Sequence, residues 1–412
     1  MVYPVKGLRG VPVPAAETDG AGFLNDRRWM LAWAPASGPA EFRTQRNAPA
    51  MATLSAHVLT TPVLAAVRAW LSSATASGRE GVGAGEVLEV AWGAASACGG
   101  GACVGGSVCP ATAAAGAPAA LLLAVDREFN GEGASVGSWA IVPLVRAQDT
   151  GAVLRDVRVW DSLVPESVDQ GDAAAVFLTA VLPGVAAEAA AAAGGALPPG
   201  TPGLRLLYQD PAWERGARAI RSSWMPLPAF LNPVGGSLLL RRLLRAAWWV
   251  ASGGGLSTAT TFADGFPVLL ATEESLAALN AAARERAGAP PLPMGRFRPN
   301  VVVSGGRAWE EDTWEEVRGA RGGLRLLGVK RCSRCQVTTT DQLSGAREEG
   351  EAHRAEPLAT LGALRASSRG ALEGGVFFGM NMVVAGNWVG KAVEVGERLN
   401  LVRVATAPVG PL

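Results

Sequence analysis

Apolar and polar residues alternate in short runs along most of this chain, and a helical period holds clearly in one stretch. That stretch is TEESLAALNAAARERAG, where Thr272 can cap, Glu273 and Glu274 face the positive dipole end, and Gly288 can terminate. The runs RPNVVVSG, LRLLGV, QVTTTD, VFFGMNMVV and AVEVGERLNLVRV predict a series of short strands after it. YPVKGLRGVPV, RRWMLAWAP and EFRTQRN predict strands and turns over residues 1–60. DVRVWDSLVPESVDQGDAAAVFLTAVL reads as a strand, a loop and a helix, with Gly171 and Asp172 near the helix start. Many short strands with glycine turns and few helices predict an α+β, β-rich fold containing a closed or nearly closed β-barrel.

Composition divides the chain. Residues 75–120 and 186–203 are Gly/Ala-rich and read as low-complexity inserts, and a glycine run at 253–255 marks another break. The expected division is an N-terminal region over 1–250 and a second domain over 256–412. The 412 residues are 49% hydrophobic and 18% charged, with a net charge of +1, which gives no global pull toward nucleic acid or anionic membrane. Apolar segments such as LLLRRLLRAAWWV carry arginines and would cross a bilayer only at high cost. No charged-then-apolar leader or Arg/Ser-rich transit segment is evident at the start, so the expected location is cytoplasmic, or mitochondrial if a segment precedes it.

The rare residues narrow the chemistry. With His57 and His353 as the two histidines, a three-histidine zinc site or a helical HExxH motif is excluded. GASVG at 133–137 has the letters of a nucleophile elbow but follows a polar loop rather than a strand. No glycine-rich dinucleotide fingerprint and no phosphate-loop motif occurs. Five cysteines do not suggest a disulfide framework. Cys98, Cys103 and Cys109 fall in the first Gly/Ala-rich stretch, with no fourth ligand in view.

The chemically densest stretch is KRCSRCQVTTTD, residues 330–341, where Cys332 and Cys335 stand among Lys330, Arg331 and Arg334. A zinc knuckle would need a second cysteine pair nearby, and a thioredoxin-like dithiol would need a helix after the pair. Two readings remain: a single thiolate ligand for a metal, with nearby cations keeping it ionised, or ordinary buried thiols.

KRCSRCQVTTTD resembles the signature of the MOSC domain, the molybdenum-cofactor sulfurase C-terminal family. RFRPNVVVSG and EEDTWEEV upstream, and TTTDQLSG, EPLATLGALR, VFFGMNMVV and VEVGERLNLV downstream, resemble the family's segments in order. YPVKGLRGVPV, LNDRRWMLA, TQRN and DQGDAAAVFLTAVL resemble its N-terminal region. Within the family the likeness is to the amidoxime reducing components, molybdoenzymes that reduce N-hydroxylated compounds. The resemblance implies a MOSC β-barrel with an N-terminal α/β lobe, residues 1–30 completing the barrel. It implies that Cys335 is the protein thiolate on the molybdenum of a molybdopterin cofactor, with Ser333 and Arg334 along that cofactor. Lys6 and Arg27 would meet its anionic end, Arg298 and Asn300 its pterin or phosphate, and the backbone at Gly265 and Phe266 would add donors. Electrons would come from a cytochrome b5 and its NADH-dependent reductase, and nitrite reduction to nitric oxide would be a side activity. No nucleic acid and no membrane span enters this reading.

Each of these residues also has a plain structural reading: Arg27 as a surface partner for Asp26, Lys6 as a turn residue, Arg298 as an edge residue, and Trp309 and Trp314 as packing. The sequence departs from the family at Gly7, where a serine is usual, and at Gly265 and Phe266, where hydroxyl residues are common. The alternative function is a cofactor carrier or sulfur-relay module like the C-terminal part of molybdenum-cofactor sulfurases, here without a pyridoxal-phosphate domain.

Overall fold

The computed structural model describes residues 1–35, 38–79, 81–97, 118–125, 138–160, 162–182, 184–185, 187, 204–209, 215–216, 221–222, 225–226, 259–321, 323–347, 355–365, 375–385 and 390–409. The chain divides into two compact units. The first contains Met1–Glu17, Leu24–Glu214 and Gln342–Gly345; the second contains Thr18–Phe23, Arg215–Asp341 and Ala346–Leu412. Of residues 1–30, then, only Thr18–Phe23 group with the C-terminal unit. There Thr18 donates its amide to Lys391 O at 2.8 Å and its hydroxyl to the same oxygen at 3.0 Å.

Barrel closure occurs in the first unit. Trp29–Trp33, Leu204–Tyr208, Ser162–Asp169, Leu154–Val159 and Ala40–Phe42 hydrogen-bond in that order, and the last pairs back with the first. Val5–Lys6 adds in parallel, Val5 opposite Trp29 and Lys6 opposite Met30. All five residues of Trp29–Trp33 are buried, and the Trp29 and Tyr208 rings lie 4.9 Å apart inside. The stretch between Val159 and Asp169, expected as a loop, is the second strand of a hairpin. Helix Asp172–Val181 buries Ala174, Ala175, Leu178 and Val181, one face of a 3.6-residue period.

A three-stranded meander of Leu54–Thr60, Pro118–Val125 and Trp139–Pro143 completes this unit. Its pleat sends Leu54, Ala56 and Val58 into the barrel-side core and Leu59, Leu122 and Ala124 onto helices Thr61–Ala76 and Ala84–Ala97. Part of the expected low-complexity insert is therefore ordered. Val87, Leu88 and Ala91 are buried, and the valine and leucine side chains contribute about 1.5–3 kcal/mol each. The alanine-rich composition hid the helix, because alanine marks neither face. The three cysteines Cys98, Cys103 and Cys109, the GASVG letters, residues 188–203 and 253–255, and His353 lie outside the described residues.

The second unit is built on an open six-stranded sheet in the order Val301–Val303, Val268–Thr272, Val376–Val384, Arg325–Arg334, Trp314–Gly319, Leu399–Val404. Of the expected C-terminal strand runs, RPNVVVSG, LRLLGV, VFFGMNMVV and AVEVGERLNLVRV contain strands, while among the described residues their sheet does not close. Val268–Thr272 and Val301–Val303 run parallel and the other neighbours antiparallel. The strand expected at LRLLGV runs on through KRCSR as one ten-residue strand, Arg325–Arg334. Gly328 allows its close crossing: a Cβ there would lie 1.9 Å from Trp314 O. Helix Glu273–Ala287 forms as its sequence predicts, with Thr272 Oγ1 accepting from Ser275 N and Gly288 left-handed at φ 62°. With helix Leu358–Arg365 it covers a core of Ala271, Leu279, Phe297, Leu361 and Phe378.

Candidate functional site

QVTTTD, expected as a strand, is a 3₁₀ turn over Gln336–Thr339. Its own hydroxyls explain the departure. Thr338 donates both its amide, at 3.0 Å, and its Oγ1, at 2.9 Å, to Cys335 O, and Thr339 Oγ1 donates to Gln336 O at 2.8 Å. Short side chains that bond the nearby backbone compete with a sheet ladder. The long strand consequently ends at Arg334, and Cys335 stands at the N-terminal edge of the turn, half-buried and in no disulfide.

The cations around it are held by rings and carbonyls. Lys330 Nζ lies 5.6 Å from the Phe266 ring centre, Arg331 Cζ 4.3 Å from Phe377, and Arg334 Cζ 5.8 Å from Phe297. Arg334 also donates to Phe297 O at 2.8 Å and to Cys332 Sγ at 2.9 Å, while its Nε is buried without a protein acceptor. Cys332 and Arg334 share a strand face, so the first cysteine of the pair holds the arginine rather than a second ligand position.

The RFRPN segment is clipped beside this turn. Arg296 donates to Thr339 O at 3.2 Å and pairs with Asp341 at 3.8 Å. Arg298 adopts φ 57°, and Asn300 is buried, its Oδ1 accepting from Leu269 N at 3.1 Å. Gly265 and Phe266 lie on the half-buried loop before Val268–Thr272, and Ser333 is exposed. Of the expected site residues, the second unit therefore holds Gly265, Phe266, Arg298, Asn300, Ser333, Arg334 and Cys335, on segments that hydrogen-bond or stack on one another.

A MOSC domain model matches residues 257–402, and a model of the MOSC N-terminal beta barrel domain matches residues 1–80. The chain belongs to the MOSC family. Mitochondrial amidoxime-reducing component 1 of Xenopus laevis is 38% identical over 106 residues, 26% of this chain and 27% of that protein. Mitochondrial amidoxime reducing component 2 of Bos taurus is 36% identical over 104 residues, 25% of this chain and 27% of that protein. Molybdenum cofactor sulfurase of Oryza sativa subsp. japonica is 32% identical over 142 residues, 32% of this chain and 16% of that protein. The matches thus span about a quarter or less of these relatives. Among the described residues of this MOSC protein, no helix is long and apolar enough to cross a membrane.

Lys6 and Arg27 belong to the first unit. Lys6 is 4% exposed, its Nζ 5.5 Å from the Phe42 ring centre. Arg27 pairs with the buried Asp26, stands 4.7 Å over Tyr3, and has φ 51°. The plain reading of Arg27 as Asp26's partner therefore describes a real contact. Gly7 has a backbone reason: at φ 86° an L side chain is strained, and a Cβ would lie 2.7 Å from Met51 Cε. Gln45 of TQRN donates to Gly7 O at 2.8 Å and exchanges amide hydrogen bonds with Gln342 at 3.0 and 2.8 Å.

The sequence reading missed the Phe266 ring as a seat for Lys330, and it missed Arg296 as a clip on the turn. Arg296 lies two residues before the expected Arg298, which was a usable signal. Trp314 is buried and Trp309 packs against the Phe297 core, as packing residues should. Glu311, behind them, is fully buried; burial raises its carboxyl, while hydrogen bonds from Ser275 at 2.8 Å and Thr272 at 3.1 Å work against that.

Proposed function

We propose that this MOSC protein is a molybdenum-cofactor-dependent reductase of N-hydroxylated compounds: amidoximes, hydroxylamines and N-hydroxylated bases. The observation that carries the reading is the setting of Cys335, a cysteine in no disulfide at the start of a turn that no strand continues, among cations seated on rings. The donor set fits a pterin dithiolene with a phosphate tail. A buried guanidinium nitrogen without a protein acceptor, on Arg334, suits an anionic or carbonyl-bearing ligand.

In this reading Cys335 supplies a thiolate to the metal, and Ser333 and Arg334 line the cofactor. Arg298 and Asn300 hold its pterin or phosphate, with backbone donors from Gly265 and Phe266. Lys6 and Arg27 meet its anionic end, and a phosphate there shares Arg27 with Asp26. When bound, the molybdenum cofactor supplies the two-electron chemistry that removes oxygen from an N–OH group. The protein orients the substrate, excludes water and fixes the cations before the reaction begins. Electrons come from outside, from a cytochrome b5 and its NADH-dependent reductase, and nitrite is a second substrate.

The test is molybdenum content, with benzamidoxime reduction by a chemical reductant, in wild type and Cys335→Ser. Near-stoichiometric metal and turnover in wild type, both lost in the variant with the folding transition unchanged, support the reading. Absence of molybdenum from wild type made in a cofactor-producing host overturns it. Retained cofactor without turnover favours a carrier or sulfur-relay module. The longer match to the rice sulfurase, 142 residues against 104 to 106, is the observation behind that alternative.

A further inference from the structure

Two strands of the first unit end head-on along one side of Trp29–Trp33. Val5–Lys6 runs parallel to it and stops at Lys6, opposite Met30. Ala40–Phe42 runs antiparallel to it and stops at Phe42, opposite Ala32. Leu31 lies between the two stops, and Arg43 donates its amide to Leu31 O at 2.8 Å. Arg43 is thus next in register and shares the sheet face of Leu31, as do Trp29 and Trp33. A Cβ on Gly7 would lie 3.6 Å from Arg43 O, so the two chain ends are close neighbours.

This face carries hydrogen-bond donors without acceptors. Arg43 Nε and Nη2 are both buried with no protein acceptor, as are the indole Nε1 atoms of Trp29 and Trp33, residues only 1% and 3% exposed. Among the described residues, Arg43 is the one arginine with both of those nitrogens in that state. Nε and Nη2 form the edge of a guanidinium that takes a carboxylate or phosphate with two parallel hydrogen bonds. Arg205, in the same unit, shows that edge in use: its Nε and Nη2 each donate to Asp169 at 2.7 Å. Arg43 has no such carboxylate. Glu41, opposite Trp33 on the same face, is exposed, and no acid among the described residues pairs with Arg43. Arg43 as a whole is half-buried, which puts its buried edge at the margin of the core.

We propose that the Nε–Nη2 edge of Arg43 is a binding site for the carboxylate or phosphate group of a small ligand, a site that no part of the reductase reading uses. A buried charged donor left unmet costs stability, and an oxyanion with two coplanar oxygens removes that cost at both nitrogens. An amine or an apolar ligand would leave both unmet.

The test titrates cofactor-free full-length protein with inorganic phosphate and with acetate at constant ionic strength, by calorimetry and by the thermal unfolding midpoint. Wild type should bind saturably, with a midpoint that rises as the site fills. Arg43→Met keeps the apolar stem without the charge. It should weaken binding about tenfold or more and lose the rise, while its midpoint in anion-free buffer equals or exceeds that of wild type. Arg43→Lys keeps the charge without the edge and should recover only a small part of the affinity. Full binding in Arg43→Lys overturns the proposal. So does stabilisation by phosphate that never saturates and is equal in wild type and Arg43→Met, which is the general effect of an excluded salt. A wild type that binds neither anion also overturns it, and that result needs no variant to fold. Repeating the titration on molybdenum-loaded protein separates two sources of the oxyanion. Retained binding assigns the site to a free ligand, and lost binding assigns it to the cofactor's own phosphate. A protein that takes up no molybdenum defeats the reductase reading, while the titration of cofactor-free protein still decides the role of Arg43.

Discussion

In the closed barrel, Arg155 and Arg205 converge on one carboxylate. Arg155 Nε lies 2.6 Å from Asp169, Arg205 donates to it twice at 2.7 Å, and Arg205 also reaches Asp172 at 2.7 Å. On the open sheet, Lys330, Arg331 and Arg334 each stand over a phenylalanine, and none of the three forms an ion pair among the described residues. The first arrangement neutralises itself and locks strands together. The second keeps its positive field, because a ring face stabilises a cation by about 0.5–2 kcal/mol without cancelling its charge. Cations of equal formal charge are thus paired with a carboxylate in the first set and seated on rings in the second, while elsewhere on the open sheet Arg318, Arg325 and Arg403 pair with Glu316.

The largest effect that would break this contrast is expected at Asp169. Asp169→Asn leaves Arg205 facing a neutral amide and should cost about 3–5 kcal/mol by urea denaturation. Burial would raise this carboxyl, but hydrogen bonds from Arg205 and Arg155 hold it below its ordinary 3.8. A depressed carboxylate stabilises the fold above its unfolded value and loses that contribution as pH falls through the folded value. Wild type should therefore weaken in acid below about pH 4, and Asp169→Asn should weaken less steeply there. By contrast, Arg334→Gln on the open sheet should change stability by less than about 1 kcal/mol while lowering molybdenum retention. A large loss of stability in Arg334→Gln would erase the distinction between the two sets.

A smaller effect is expected at Gly7. Gly7→Ser installs the family's usual residue, yet at φ 86° and against Met51 it should cost about 1–3 kcal/mol and not improve metal retention. Thermal unfolding beside metal analysis checks both parts. The smallest is Glu311→Gln. Burial raises the Glu311 carboxyl above 4.5, so its charge destabilises the fold progressively as pH climbs from that value. The variant should stay within about 1 kcal/mol of wild type and flatten that slope, measured as unfolding midpoints from pH 4 upward.

Local rules carried the parts whose residues speak for themselves. Helix Glu273–Ala287 was legible because Thr272, its first-turn acids and Gly288 form a complete set of end signals. The strand runs RPNVVVSG, LRLLGV, VFFGMNMVV and LNLVRV were legible as short apolar stretches between glycine turns. Helix Ala84–Ala97 was not, since alanine fits any face and only its neighbours show which side is inside. The threonines after Cys335 misled, because β-branching favours strands while their hydroxyls favour a turn.

The sequence by itself determined that the chain is β-rich, that it carries a MOSC signature, and that Cys335 sits among cations. Those are properties of composition, spacing and order, which survive without a third dimension. Tertiary structure alone decided which sheet closes, which arginines are neutralised and which keep their field. It also decided that Arg347, twelve positions beyond Cys335, bridges Thr340 at the end of the Cys335 turn. Charge compensation and the return of a loop depend on distances through space, and a chain's order constrains such distances only after its hydrogen bonds are made.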